Sequence, residues 1–512
     1  MSPSIHPNGG SVEKVRFKNT VANEMQGRPG KPQDRKASSD SSFDAIKVLW
    51  WQDPAETILF ASLLAGLAWA PFWLGSDRII PWGLNGVVFC SLAVIYEVSI
   101  LLRSKRHPVA LRVIAVPASL FLLVIAWILV QMSTWVPPAI VHPIWNIASE
   151  TLNRTLDGSV SVNRSATALA LMRLLTDASV FWLTLQLCRD PLRAIILLRA
   201  ILAIVVAYSA YGLVLVAAYK GEIPFFDTPN VGFVVRSTFV NRNTFATYAG
   251  MGLVIAVALI LRLYRHKVPD HAELVTYRLT KFIEATGRDG WRLIGLTSII
   301  LVALLGSASR GGIIATVVGV VSVLILSTSR KPRRRGAQIE AIIIVALVIL
   351  VGFVVFGDKI IGRIAVAGLE DTNRAAVYLI IIRAIVDVPF IGFGYGTFAD
   401  IFPMYRDGSI SPVGVFDLAH NSYLEVLLGV GLIVGPALIV SIGLLAYKAF
   451  SGALKRRRDA TPAIVGTSVA FLVGVHAFVD YSLEIEAVAL TFMALLGAGV
   501  AESISSRQSI SD

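Results

Sequence analysis

AIILLRAILAIVVAYSAYGLVLVAAY (194–219) is 26 residues long and holds one charged side chain, Arg199. A helix of that length rises about 39 Å, more than the roughly 30 Å of hydrocarbon in a bilayer. Inside lipid every backbone N–H and C=O must be satisfied within the protein, which leaves helices and closed barrels. The apolar residues here are continuous rather than alternating, so the stretch reads as a membrane-spanning helix.

Comparable runs fall near 57–75, 79–102, 112–131, 166–188, 243–262, 292–309, 311–328, 341–357, 426–447, 461–480 and 485–501. With 194–219 they predict an all-α polytopic membrane protein of about twelve transmembrane helices. The composition agrees: of 512 residues 55% are hydrophobic and only 16% charged, against about 25% charged in soluble domains. A soluble enzyme with one packed core is excluded. Residues 1–50 are polar and read as a disordered tail, 51–502 as the membrane domain, and 503–512 as a short second tail.

The chain carries 46 Lys and Arg against 34 Asp and Glu, a net +12. Alternate connections hold this excess unequally. RSKRHPVALR (103–112), RDPLR (189–193), 262–292, SRKPRRR (329–335) and Lys448 with KRRR (455–458) contain 23 basic residues; the longer opposite set contains 12. The positive-inside rule then puts both termini in the cytoplasm, and no nucleic-acid partner is needed to explain the charge. Ten of those 12 outer basic residues are Arg, whose planar fork suits phosphate or carboxylate better than the point charge of Lys. The two cysteines, Cys90 and Cys188, lie in or beside apolar runs and read as buried thiols. No CxxC, HExxH or phosphate-loop pattern occurs, so neither metal chemistry nor nucleotide hydrolysis is indicated.

Three outer loops dominate: 132–165, 220–242 and the long loop 358–425 between the ninth and tenth spans. In the last, AAVYLIIIRAIVDVP (375–389) has apolar residues at helical spacing and predicts an amphipathic helix along the membrane face. Segment 263–291 predicts a surface helix on the inner side.

Four clusters at the outer face could carry chemistry. Arg236-Ser-Thr-Phe-Val-Asn-Arg-Asn (236–243) sets Asn241, Arg242 and Asn243 where the sixth span starts; free N–H groups and the positive end of a helix dipole favour a phosphate there. Asn243 could equally cap the helix. Gly306-Ser-Ala-Ser-Arg-Gly-Gly (306–312) forms a tight turn that leaves Arg310 at the membrane surface, to hold an anion or to snorkel to headgroups. Asp417-Leu-Ala-His-Asn-Ser-Tyr (417–423) supplies His420, Asn421 and Tyr423; an imidazole with pKa near 6.5 suits proton transfer, though a lone His also serves structure. His476 and Asp480 stand four apart at the outer end of the eleventh span, on one helix face, either catalytic or steadying the bundle. Arg173 and Asp177 in the fourth span share that spacing and read as a pair.

STFVNRNTFATY (237–248), SASRGG (307–312), PFIGFGYGTF (389–398), AHNSYLEVL (419–427) and HAFVDYSLEI (476–485), in this order, resemble the O-antigen ligase and O-antigen/exopolysaccharide polymerase superfamily of bacterial inner membranes. SVNRSATALALMRLL (161–175) resembles the segment entering the fourth span. The resemblance covers roughly 55–500. It implies a C-type, metal-independent glycosyltransferase without cofactor, in the inner membrane, which uses oligosaccharides carried on undecaprenyl pyrophosphate and releases that carrier on the periplasmic side. It further implies that Arg242 and Arg310 handle the lipid pyrophosphate, that Arg374 is the arginine opening the long-loop helix and that His420 is the loop histidine. The mechanism expected from these is that His420 orients or deprotonates the acceptor hydroxyl, Asn421 positions it and Arg374 assists the other arginines. Arg236, Asn241, Asn243, Asn421, Tyr423, His476 and Asp480 are expected around the substrates. Expected partners are the lipid-linked donor, a glycan or lipid acceptor, membrane lipids and polysaccharide assembly proteins. Polymerase is preferred slightly over ligase, and a lipid-linked oligosaccharide flippase is the alternative of a different class.

Overall fold

The computed structural model describes residues 53–226, 233–267, 275–329, 368–410, 416–456 and 459–504, and no strand occurs among them. Fifteen α-helices follow in order: α1 Pro54–Trp69, α2 Ile79–Leu102, α3 Ala115–Met132, α4 Ile144–Thr151, α5 Arg164–Leu187, α6 Pro191–Tyr219, α7 Arg242–Lys267 and α8 Val275–Gly306, then α9 Arg310–Thr328, α10 Gly368–Asp387, α11 Phe398–Tyr405, α12 Ser422–Val430, α13 Gly435–Lys455, α14 Thr461–His476 and α15 Glu486–Ser503. Nine helices among the described residues are long and apolar enough to cross a membrane: α2, α5, α6, α9, α13, α15, the segments Leu111–Met132 and Arg242–Tyr264, and Gly287–Gly306 within α8. Helices α1 and α14 are apolar but shorter. The chain is a polytopic helical membrane protein. The expected span 341–357, the tail 1–50 and residues 505–512 lie outside the described residues.

Helices α7 and α15 form the interior, with 83% and 89% of their apolar windows buried, while those of α2 and Leu111–Met132 are 28% and 22% buried. The outward side chains of these two, such as Val87, Val94, Leu101, Leu122 and Leu129, suit a lipid surround. Since lipid gives little hydrophobic drive for helix association, close packing of small residues matters more. A methyl added at Gly466 in α14 would lie 2.9 Å from the Leu495 carbonyl and 3.1 Å from the Cα of Gly499 in α15. Those two glycines let the backbones touch.

Three sequence expectations change. The apolar run 426–447 is two helices, α12 and α13, broken at Gly431 (φ +86°). The break receives the backbone of the long loop: Phe393 N–H donates to Leu428 O (3.1 Å), Gly394 N–H to Gly429 O (2.9 Å) and Leu432 N–H to Pro389 O (2.7 Å). The Gln131 amide closes the same knot, donating to Ile391 O (2.7 Å) and Gly429 O (2.8 Å). A continuous helix would use those carbonyls itself. Second, the expected inner helix and seventh span meet within α8 at Gly287, whose backbone is not helical (φ +44°, ψ −165°), so the boundary lies a few residues before the one expected. Third, α14 ends at His476 and Asp480 lies in the turn beyond it, so the two do not share a helix face.

The Arg173–Asp177 pairing is also corrected. The guanidinium of Arg173 stands over the Trp82 ring (4.6 Å), donates to the Glu484 carbonyl, and lies 3.7 Å from the Glu486 carboxylate. Glu486 in turn accepts from Asn85 Nδ2 at 2.6 Å. A carboxylate delivered by α15 outcompetes the one a turn along α5, because it brings a carbonyl with it and Asn85 satisfies its other oxygen.

Candidate functional site

The turn before α7 is fixed by side chains that reach neighbouring backbones. Ser237 Oγ donates to Tyr208 O (2.7 Å), Thr238 Oγ1 donates to Pro71 O (2.6 Å), and Phe239 packs on Tyr248 with ring centres 5.2 Å apart. Asn241 then caps α7, its Oδ1 accepting from Asn243 N–H at 2.7 Å, while its Nδ2 donates to the Tyr481 hydroxyl at 2.6 Å. The cap is therefore Asn241, and Asn243 is left to reach elsewhere. Its Nδ2 donates to Asp480 Oδ1 (3.3 Å), and its Oδ1 accepts from Ser309 Oγ (2.8 Å).

Ser309 caps α9, accepting from Gly312 N–H at 3.2 Å. The Asn243–Ser309 bond thus joins the starts of α7 and α9, bringing two positive dipole ends side by side. Arg242 and Arg310 are the first residues of these helices, and α10 adds Arg374. The three arginines line one cleft, together with Asn243, Ala308, Ser309, Gly311, His476 and Val479. Gly311 leaves space for the buried His476 ring: a methyl there would lie 3.2 Å from Nε2. Three guanidiniums and two helix starts give the cleft a positive electrostatic character.

Behind His476 is a buried polar chain. Its Nδ1 lies 2.7 Å from Thr247 Oγ1 and 3.2 Å from Ser482 Oγ, and the Thr247 hydroxyl is 3.0 Å from Ser482 Oγ. Ser482 Oγ donates to Asp480 Oδ2. Asp480, 1% exposed, turns its other oxygen to Asn243 and, at 3.9 Å, to His420 Nδ1.

His420 stands on the far side of Asp480 rather than in the cleft lining. Its backbone is left-handed (φ +52°), with the carbonyl accepting from the Tyr378 hydroxyl at 2.8 Å. The ring meets that of Tyr481 edge-on at 4.7 Å. Burial lowers the pKa of His420, Asp480 opposes the shift, and Arg374 adds to it. The imidazole is thereby held neutral at pH 7, able to accept a proton. Burial raises the Tyr481 phenol to about 12, so it stays protonated.

Of the residues singled out from sequence, Arg242, Asn243, Arg310, Arg374 and His476 meet at the cleft, while Asn241, Asp480 and His420 stand directly behind it. Three others do not join them. Buried Arg236 donates to Val240 O (3.3 Å) and Gly221 O (3.4 Å), tying down its own loop. Asn421 caps α12 through Tyr423 and Leu424 N–H and donates to Phe478 O (3.1 Å). Tyr423 packs at a tilt against Phe478 (4.5 Å) and donates to Gly474 O (2.8 Å). Sequence reading passed over Thr247, Ser309, Tyr481 and Ser482, although all four lie inside the quoted motifs.

The chain is thus a helical membrane bundle with an arginine-lined cleft where two helices start, and His420 stands behind it. Residues 295–440 match the family described as O-antigen ligase, which supports a likeness to the O-antigen ligase-like superfamily. The match supports a role in surface polysaccharide biosynthesis and points to an enzyme. It spans Arg310, Arg374 and His420; Arg242, Asn243, His476 and Asp480 lie outside it. No curated protein matches the chain.

Proposed function

We propose that the chain is a metal-independent glycosyltransferase of surface polysaccharide assembly. It transfers an oligosaccharide from undecaprenyl pyrophosphate to a glycan or lipid acceptor at the periplasmic face of the bacterial inner membrane. Both termini are then cytoplasmic, on the side of the 23 basic residues in the short connections. The observation that carries this reading is the convergence of Arg242, Arg310 and Arg374, from three separate helices, on one cleft. A departing pyrophosphate gains negative charge as its bond to the sugar breaks. Guanidiniums and helix starts held in place beforehand stabilise that charge without reorganising.

In this mechanism the arginines grip the pyrophosphate, and Asn243 holds the two helix starts together. His420 removes the acceptor hydroxyl proton as the oxygen attacks the anomeric carbon, and Asp480 stabilises the imidazolium that forms. Elongation of repeat units is preferred over transfer to a lipid core. Deleting the gene and resolving the surface glycans by gel tests the reading. A polymerase loss leaves single repeat units, and a ligase loss leaves polymer on the carrier. Single lipid-linked units facing the cytoplasm would instead identify a flippase and refute glycosyl transfer.

A further inference from the structure

Two histidines, one at the cleft wall and one behind it, are linked by a file of buried polar groups that is hydrogen-bonded from His476 to Asp480 and opens to 3.9 Å at His420, whose Nδ1 is unpaired. From the cleft the order is His476, Thr247, Ser482, Asp480 and His420. The successive contacts are 2.7 Å from His476 Nδ1 to Thr247 Oγ1, 3.0 Å to Ser482 Oγ, the Ser482 bond to Asp480 Oδ2, and 3.9 Å from Asp480 Oδ1 to His420 Nδ1. His476, Thr247, Ser482 and Asp480 are each 3% exposed or less, so solvent does not short-circuit the file. Only its ends open outward: His476 lines the cleft, and the His420 side chain is 26% exposed.

Each hydroxyl has a neighbour on either side, so the file accommodates the imidazole proton of His476 on either nitrogen. With the proton on Nδ1, the bonds run from His476 through Thr247 and Ser482 to Asp480. With the proton on Nε2, facing the cleft, Thr247 donates to Nδ1. A bond chain satisfied in both directions is what proton conduction requires. A purely structural role for His476 would not need its other nitrogen left at the cleft.

We propose that this file is a proton path that carries the acceptor's proton to the departing pyrophosphate, with Thr247 as its central positioning residue. The proposal rests on the glycosyl-transfer reading above. The acceptor O–H bond breaks as its oxygen bonds to the anomeric carbon, and the bond from that carbon to the pyrophosphate oxygen breaks with its electron pair left on that oxygen. His420 takes the proton at Nε2 and passes one from Nδ1 to Asp480. Asp480 protonates Ser482, Ser482 protonates Thr247, and Thr247 protonates Nδ1 of His476. His476 then releases its Nε2 proton to the pyrophosphate oxygen. One proton enters and one leaves; the two hydroxyls reset by rotation, and the tautomers of His420 and His476 reset through water at the two open ends. The 3.9 Å step at His420 closes when acceptor is bound, as apo contacts of catalytic groups often do. The charged groups facing the path are Arg374 toward both histidines, Arg242 and Arg310 across the cleft from His476, and Asp480 within it, with the Tyr481 ring against His420.

The test uses full-length protein in lipid nanodiscs and the undecaprenyl-pyrophosphate-linked oligosaccharide that accumulates in the deletion strain. Thr247→Val keeps the side-chain shape and removes the hydroxyl. It is expected to lower kcat about a hundredfold, the scale of a lost proton transfer, with KM within about twofold. Thr247→Ser restores kcat to within about threefold, which a loss of packing would not allow. The Thr247→Val rate also falls with rising pH across about pH 7 to 9, where wild type stays level, because solvent must now supply the proton. Ser482 Oγ also lies 3.2 Å from His476 Nδ1, so Thr247→Val/Ser482→Ala with the kcat and pH profile of wild type overturns the path alone, as does Thr247→Ser that is as slow as Thr247→Val at wild-type KM. Wild-type protein that transfers nothing overturns the glycosyl-transfer reading and the path together.

Discussion

Removing the Arg310 guanidinium tests the electrostatic core of the proposed site. Arg310 begins α9 and shares the cleft with Arg242 and Arg374. Opposite unit charges about 4 Å apart attract by about 4 kcal/mol at an effective dielectric of about 20. Stripping water from the guanidinium cancels about half, which leaves about 2 kcal/mol, within the range of hydrogen bonds to charged groups. Arg310→Ala should therefore lower kcat/KM for the lipid-linked donor about thirtyfold. Arg310→Lys keeps the charge and loses the fork, and should cost about fivefold, or about 1 kcal/mol. The loss should be one of rate and not of fold. Initial rates across donor concentrations in nanodiscs, with thermal unfolding of the same preparations, measure both. A kcat/KM for Arg310→Ala within twofold of wild type refutes the assignment. A loss of rate that tracks a fall in melting temperature refutes the electrostatic reasoning behind it.

Two further outcomes follow from the geometry. His420 acts as a base only when neutral, and burial lowers its pKa from the ordinary 6.5; kcat/KM should fall on the acid side with a midpoint below 6.5. Asp480→Asn removes the group that opposes that shift, so the midpoint should move to still lower pH, and a midpoint that moves up would count against the contact. Gly392 has φ +68°, and a methyl there would lie 2.4 Å from the Gly429 carbonyl, so Gly392→Ala should destabilise by at least about 2 kcal/mol. Gly408, where a methyl meets nothing within 4 Å, serves as the tolerant control in the same unfolding measurement.

Hydropathy made most of the bundle readable, because a bilayer demands about 20 apolar residues in succession and α2, α5, α6 and α9 supply them almost to the residue. It does not register where another backbone must touch. The Gly431 break was hidden in an apolar run, and only the glycines of 389–398 hinted that one backbone would lie against another. Charge spacing failed in a related way. Arg173 has Asp177 one turn along, yet its carboxylate partner comes from a helix more than 300 positions later. Among the site residues, the arginines were legible since charge at a membrane mouth needs a reason. Asn421 and Tyr423 carry the same polar signature but are used to cap and brace α12. Thr247 and Ser482 were invisible because hydroxyls in helices usually bond their own backbone.

The hydrogen bond between Asn243 and Ser309 has a practical consequence for chimeras. It stitches the O-antigen ligase-like segment to a helix that lies outside it, and Arg310 and Arg242 line one cleft beside the same stitch. Exchanging residues 295–440 with those of a relative would deliver part of the proposed site onto a foreign rim. The unit to transplant is the pair of helix starts, Asn241–Asn243 with Ser309–Gly312, moved together.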